Sequence, residues 1–366
     1  MQSRRVAVVA TAGAAAGVLG LAALSLPSAT ANPTLPEIPP EKLVESVMTS
    51  SPPAFSGTVT VDNALGLPAL PGAGGEDSGV GAMLADGEHT MRVWSDGADR
   101  HRVSLPSESG ERTIVHDGST VWTWDSATRT ASRSDVDPAK QQQREPHHAQ
   151  ERPADPAEAA RAVVGTLRES STVTVDGTAS VAGRDAYELV LTPKPSERTV
   201  LREVRVAVDA EKRVPLNVVV NTHGSDDPAL RVGFSELDMT VPEARLFQFT
   251  PPAGTTVEEP QRQEKAPEQA QKPPHRKVGD GWDTVTVSRL PEQALQQGDD
   301  EQNRQDGPGG QDVRALADQV GTKVSGPWGD GWVVTTKAGS ALLTSDGRVA
   351  VGAVPEQVLT DAIGNS

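Results

Sequence analysis

The chain has 366 residues, 36% hydrophobic and only 3% aromatic, with 34 basic residues against 50 acidic ones and a formal charge of −16. That balance argues against nucleic-acid or anionic-membrane binding as the main task, since both reward clustered Lys and Arg. The lack of any cysteine excludes disulfides, thiolate metal sites, a cysteine nucleophile and the acylated cysteine of a lipoprotein.

The N-terminus reads as an export signal. Arg4-Arg5 form a positive n-region, Val6–Leu26 is apolar, and Ala29-Thr30-Ala31 is a small-x-small cleavage site, so residues 1–31 form a signal peptide and the mature chain starts at Asn32. The apolar stretch is long enough for an uncleaved anchor as the alternative. Ser3-Arg4-Arg5-Val6 also resembles the start of a twin-arginine signal, which leaves Sec and Tat export open. The protein is expected outside the cytoplasm, in the cell envelope or secreted.

Pro36–Met48 predicts a short helix with Leu43, Val44, Val47 and Met48 on one face. Strands are predicted at Phe55–Leu65, His89–Trp94, Arg100–Leu105, Thr113–His116, Thr120–Trp124 and Thr130–Arg133, with a Gly- and Pro-rich loop at Pro68–Gly87. Asp-Gly pairs at 96–97 and 117–118 suggest tight hairpin turns with both central residues at positive φ. Asp135–Arg152 is a polar loop holding His147-His148, and Asp155-Pro156-Ala157-Glu158 starts a helix with the apolar stripe Ala160, Val163, Val164 and Leu167.

Five amphipathic strands follow, near Thr172–Val175, Asp185–Leu191, Leu201–Val208, Pro215–Asn221 and Leu230–Leu237. Their inward sets are Val173/Val175, Tyr187/Leu189/Leu191, Val204/Val206/Val208, Leu216/Val218/Val220 and Val232/Phe234. One apolar face and one solvated face are the mark of a curved antiparallel sheet. The domain ends near Val257. Residues 258–277, rich in Glu, Gln, Pro and Lys, form a linker, and 278–366 form a small α+β module. The module holds Trp282–Val287, a low-complexity loop at Gln296–Gln311, a helix with Val313, Leu316, Ala317 and Val320, strands at Gly331–Thr336, Ser340–Thr344 and Arg348–Val351, and a helix at Pro355–Ile363.

No nucleophile elbow, zincin helix or P-loop occurs, and a histidine pair on a polar loop makes no metal site without further ligands. The reading is therefore non-enzymatic, with no cofactor and no metal. Trp122 and Trp124 share one strand face, which suits packing against a neighbouring element better than ligand stacking.

Two stretches resemble the LolA-like superfamily, which includes the lipoprotein carrier LolA, the RseB/MucB stress sensors and the mycobacterial LppX/LprG carriers. The first is Arg100-His-Arg-Val-Ser-Leu-Pro106 with Thr113-Ile-Val-His-Asp-Gly-Ser-Thr-Val-Trp-Thr-Trp124. The second is Val181-Ala-Gly-Arg-Asp-Ala-Tyr-Glu-Leu189, then Val206-Ala-Val-Asp209, Val214-Pro-Leu216 and Phe247-Gln-Phe-Thr-Pro-Pro-Ala-Gly254. Together they span about Leu43–Val257, and the C-terminal module resembles an extension of actinobacterial members. The basic latch residue of LolA is missing, because Ser95-Asp-Gly-Ala-Asp99 stands in its place.

The resemblance implies a mainly β fold with α elements: a curved antiparallel half-barrel covered by lid helices, with the small C-terminal module appended. It implies an exported carrier or binding protein for lipids or acylated lipoproteins. Acyl chains would lie against Leu189, Val204, Val206, Val208, Leu216, Val218, Val220, Val232 and Phe234. The alternative it raises is an RseB-like sensor acting on a membrane anti-sigma factor. Partners are then lipid or lipoprotein acyl chains, possible membrane-protein contact, no nucleic acid, and a monomeric chain. Whether the concave face is hollow or a filled core stays open on sequence grounds.

Overall fold

The computed structural model describes residues 33–66, 86–107, 109–135, 156–258, 275–290 and 313–364. The expected export signal, the Gly72-Ala-Gly-Gly75 loop, His147-His148, the Asp155 cap, most of the linker and the Gln296–Gln311 loop lie outside the described residues.

Helix α1 (Pro40–Thr49) starts at the Pro39-Pro40 pair, with Pro39 held extended at the N-cap and Pro40 in the first helical turn, so residues 36–39 of the predicted span lie outside it. Leu43, Val44 and Val47 are buried as expected, but Met48 is 41% exposed. Six strands follow: β1 (Ala54–Asn63), β2 (Gly87–Asp96), β3 (Arg100–Ser107), β4 (Gly110–Asp117), β5 (Thr120–Asp125) and β6 (Thr130–Asp135). The Asp-Gly turns differ from the type expected. Only Gly97 and Gly118 take positive φ. The aspartates instead accept backbone N–H bonds, Asp96 from Ala98 and Arg100, Asp117 from Ser119 and Thr120.

Helix α2 (Pro156–Leu167) continues into a 3-10 turn at Arg168–Ser170. It leads into β7 (Ser171–Val181), β8 (Arg184–Pro193), β9 (Leu201–Asp209), β10 (Pro215–Thr222) and β11 (Leu230–Asp238). Strand β7 runs six residues past its predicted end. It turns into β8 through Ala182 and Gly183, both at positive φ, so Val181-Ala-Gly-Arg184 is a two-residue hairpin and not part of one strand. A 3-10 turn (Ala244–Phe247) and the short strand β12 (Thr256–Glu258) complete this part.

These strands form one twelve-stranded sheet in the order β12-β6-β5-β4-β3-β2-β1-β11-β10-β9-β8-β7. All pairings are antiparallel except β12 with β6. The sheet is open, curved and covered on its inner face by α1 and α2, which is the half-barrel expected.

The second sheet, in the order β13-β14-β18-β17-β16-β15, contains β13 (Arg276–Val278), β14 (Val285–Arg289), β15 (Thr322–Gly326), β16 (Gly329–Thr336), β17 (Gly339–Thr344) and β18 (Arg348–Gly352). Helices α3 (Val313–Val320) and α4 (Glu356–Gly364) accompany it. Strand β15 was not anticipated. It is the edge strand, and the Trp328-Gly-Asp-Gly-Trp332 segment supplies its turn and its partner β16. The module has its own core, including Val285, Leu342, Leu359 and Ile363.

The outer face of β7–β10 carries the polar half of the alternation. Arg205 reaches Glu203 at 2.9 Å, Asp176 at 3.0 Å and Glu188 at 3.2 Å, and Asn221 donates to Glu203 at 3.1 Å. This cross-strand network fixes which face looks outward, since a one-residue slip would bury every member.

The Phe247-Gln-Phe249 stretch covers the other end of the outer face. Phe247 is buried beneath the Arg100 guanidinium, and Phe249 packs on Trp122 and Trp124 at centroid distances of 5.4 and 6.3 Å. The two tryptophans are thus packing residues, as their shared strand face suggested.

Candidate functional site

The inner face is built from the pleat upward. Cross-strand pairing sets Val175, Leu189, Val206, Val218, Val232 and Val61 in one continuous row across six strands. A second row runs Leu191, Val204, Val220 and Leu230. Directly opposite residues share a face, so Leu189, Val204, Val206, Val218, Val220 and Val232 lie on one face of the sheet.

They fall into two packed groups. Leu189, Val204, Val206 and Val208 are buried under the helices, with Val218 and Val220 packed against them. Leu216 and Phe234 belong to a second group with Phe55, Val59 and Met91, and Val232 packs against that group. The division has a local cause. The register shifts between Pro215 and Asn217, so Leu216 is the extra residue of a bulge and leaves the row of Val218 and Val220.

The helices meet the sheet through aliphatic side chains. Leu43, Val44 and Val47 of α1 and Ala160 and Val164 of α2 are all buried against it. Tyr187 anchors this lid: its hydroxyl donates to the Pro36 carbonyl at 3.0 Å, and the Arg213 guanidinium lies 5.1 Å from its ring centre. Thr178 holds the same leading segment by donating to the Pro33 carbonyl at 2.6 Å.

Among the described residues this part of the inner face is packed with aliphatic side chains. A pocket at its Pro53, Phe55, Leu216 and Phe234 end has a volume of about 10 Å³, room for about one water molecule.

The opposite end of the trough holds a residue that strand periodicity could not find. Trp282 of the C-terminal module is 3% exposed and belongs to the half-barrel core. Its indole Nε1–H donates to the Ser171 hydroxyl at 2.8 Å, and its backbone N–H donates to the Glu197 carboxylate at 2.8 Å. Ser171 in turn donates to the Leu167 carbonyl at the end of α2, so one hydroxyl joins the lid, β7 and the module.

Gly281 allows this approach, because a Cβ there would stand 2.7 Å from the Ser170 Cβ and 2.4 Å from a Glu197 oxygen. Further bonds run from Val200 N–H and the Thr199 hydroxyl to the Ala353 carbonyl, and from Lys337 N–H to the Leu65 carbonyl. The only sequence signal for Trp282 was a lone tryptophan in the Gly-rich Val278-Gly-Asp-Gly-Trp282, which reads equally well as an edge residue.

The Val-Asp of the second stretch has a structural task. Asp209 is fully buried. It accepts bonds from Arg184 and from the backbone N–H groups of Glu211 and Lys212. Burial pushes its carboxyl up, but the Arg184 guanidinium and those N–H donors outweigh burial and hold it below the usual carboxylate range. Among the described residues no group of three or more His, Asp or Glu side chains is placed to hold a metal ion.

No protein-family model matches the chain, and no curated protein matches it. Several solved structures are similar. MucB in complex with MucA(peri) is 16% identical, covers 89% of this chain and 97% of its own, and has a TM-score of 0.44. A LolA superfamily protein from Nitrosomonas europaea is 12% identical over 58% of this chain and 99% of its own, with a TM-score of 0.25. The Mycobacterium tuberculosis lipoprotein LppX is 9% identical over 53% of this chain and 90% of its own, with a TM-score of 0.28. These are likenesses of fold alone.

Proposed function

We propose that this chain is an exported, non-enzymatic carrier or binding protein that holds the acyl chains of lipids or acylated lipoproteins on the inner face of its half-barrel. The observation that carries the reading is the lid: among the described residues, Leu43, Val44 and Val47 of α1 and Ala160 and Val164 of α2 lie buried on a largely aliphatic surface. Such aliphatic contacts can be exchanged for contacts with hydrocarbon.

The magnitudes support exchange. Burying Leu43, Val44, Val47 and Val164 is worth about 1.5–3 kcal/mol each, or roughly 6–12 kcal/mol for the lid. An acyl chain offers about 0.8 kcal/mol per methylene, so about fifteen methylenes offer roughly 12 kcal/mol. The two occupants are near balance, which is what reversible loading requires. The filled face then represents the closed form, with α1 and α2 moving aside as a chain enters.

A titration tests this. Neutral single-chain amphiphiles of increasing length, each below its micelle concentration, are added to the purified protein. Affinity is expected to rise about fourfold per methylene, the equivalent of 0.8 kcal/mol, and to level off when the trough is full. Absence of saturable binding, or binding indifferent to chain length, would sink the proposal.

A sensor acting on a membrane anti-sigma factor is the second reading. The observation favouring it is Ser171, which links the end of lid helix α2 to Trp282 of the C-terminal module. Lid movement would then be felt by the module. Pull-down of an anti-sigma factor by the intact chain, lost on truncation before Val278, distinguishes it from a carrier.

A further inference from the structure

Two arginines beside the small pocket, Arg161 in its lining and Arg213 in the adjoining turn, have no carboxylate partner among the described residues. The pocket lies at the strand ends opposite Trp282, where β10 begins and β11 ends. Its lining is apolar (Phe55, Leu216, Phe234 and Met239 among others) except for Arg161 of α2. Arg213 adjoins it in the β9–β10 turn, next to the lining residues Val214 and Pro215. Ser50, the C-cap of α1, joins the two: its hydroxyl donates to the Arg213 carbonyl at 3.2 Å and lies 3.5 Å from Arg161 Nη2.

Arg161 Nε and Arg213 Nη1 are both buried from solvent with no hydrogen-bond partner. Among the described residues neither arginine has a carboxylate partner, in a chain with 50 acidic residues to 34 basic ones. Arg184 and Arg205, by contrast, each hold two or more carboxylates. Leaving a buried N–H of a charged group unpaired costs at least about 1–3 kcal/mol. Arg213 carries a second cost, since it is a non-glycine residue held at φ 60°, a conformation worth about 1–3 kcal/mol of strain. Its ring contact with Tyr187 fixes the side chain in place. Planar guanidinium forks of this kind match the paired oxygens of phosphate and carboxylate.

We infer that Arg161 and Arg213 form a headgroup site for an anionic amphiphile, with the phosphate or carboxylate at the two guanidinium groups and the hydrocarbon passing over Phe55, Leu216 and Phe234. The inference rests on the acyl-binding reading and narrows its ligand class. It also gives the ligand a direction, headgroup at the β10 start and chain end toward Trp282.

The test compares three probes on the purified, delipidated full chain by calorimetry: dodecyl phosphate, dodecyl maltoside and inorganic phosphate. Dodecyl phosphate is expected to bind at least tenfold more tightly than dodecyl maltoside, and inorganic phosphate only weakly. In Arg161→Gln combined with Arg213→Asn (asparagine tolerates the left-handed backbone) the advantage of dodecyl phosphate over dodecyl maltoside should vanish, while a native circular dichroism spectrum reports an intact fold. Equal affinities in the unmodified protein, or an advantage that survives in the double variant, overturn the headgroup site and leave the acyl reading standing. Inorganic phosphate binding as tightly as dodecyl phosphate also overturns it, in favour of a free-anion site. Loss of the native spectrum in the variant assigns the arginines to folding and overturns it too. If neither amphiphile binds the unmodified protein, the acyl reading fails and this site with it.

Discussion

Replacing Trp282 with alanine should destabilise the half-barrel, although Trp282 comes from the module that follows the linker. The side chain is 3% exposed and packs with the lid and inner-face residues. Truncating a buried aromatic to alanine costs about 3–5 kcal/mol. The indole bond to Ser171 can be separated from that packing. Trp282→Phe keeps most of the ring contact and leaves Ser171 still donating to Leu167, so the bond itself should account for about 0.5–1.5 kcal/mol. Ser171→Ala strands a buried indole N–H and should cost more, about 1–3 kcal/mol. In the double variant these losses should fall short of additive, because both remove the same bond. Urea unfolding of the full chain followed by circular dichroism measures each value from its midpoint. A loss below about 0.5 kcal/mol for Trp282→Ala, typical of surface positions, would refute the reasoning. So would an early transition of the module alone with the main transition unmoved.

Gly281→Ala should loosen the same junction, since its Cβ would press on Ser170 and Glu197. Faster amide exchange at Val200, which donates to the module at Ala353, would report it, and unchanged exchange would contradict it. Asp209→Asn should cost about 3–5 kcal/mol, the loss expected when a buried ion pair with Arg184 is broken. Because the folded pKa of Asp209 is depressed, its contribution is fully present above the unfolded value of about 3.9 and is lost as pH falls through the folded pKa. The acid limb of the stability curve should therefore flatten in the variant, and an unchanged limb would count against the assignment. Tyr187→Phe removes only the bond to Pro36 and should cost about 0.5–1.5 kcal/mol, with the leading segment 33–39 becoming easier to cleave by protease.

Strand positions in this chain are legible because alternation is strict where one face is covered and the other is wet. Leu189, Val206 and Val218 had to share a surface once their strands were identified, and they do. Local features that break the period were not legible. The bulge that turns Leu216 away from Val218 leaves no sequence mark. The Ala182-Gly183 hairpin lacks the Asn-Gly or Asp-Gly signal, so nothing between the predicted strands Thr172–Val175 and Asp185–Leu191 marked it as a tight turn. The Asp-Gly pairs were read as primed turns, yet their aspartates act by capping backbone N–H groups.

Long-range placement was hidden for a different reason. Trp282 is about a hundred residues from Ser171 in sequence, and no periodicity records which element a single side chain will enter. Arg161 and Arg213 look like ordinary surface arginines until the fold removes their partners.

The central claim is that the inner face trades its lid for acyl chains. Native mass spectrometry of the chain purified from the envelope of cells that export it, with organic extraction of the same sample, measures this directly. The account predicts one co-purifying acyl lipid per chain, released on extraction and carrying a phosphate or carboxylate. A chain that flies at its bare mass, yields no lipid and takes up none on incubation would contradict it.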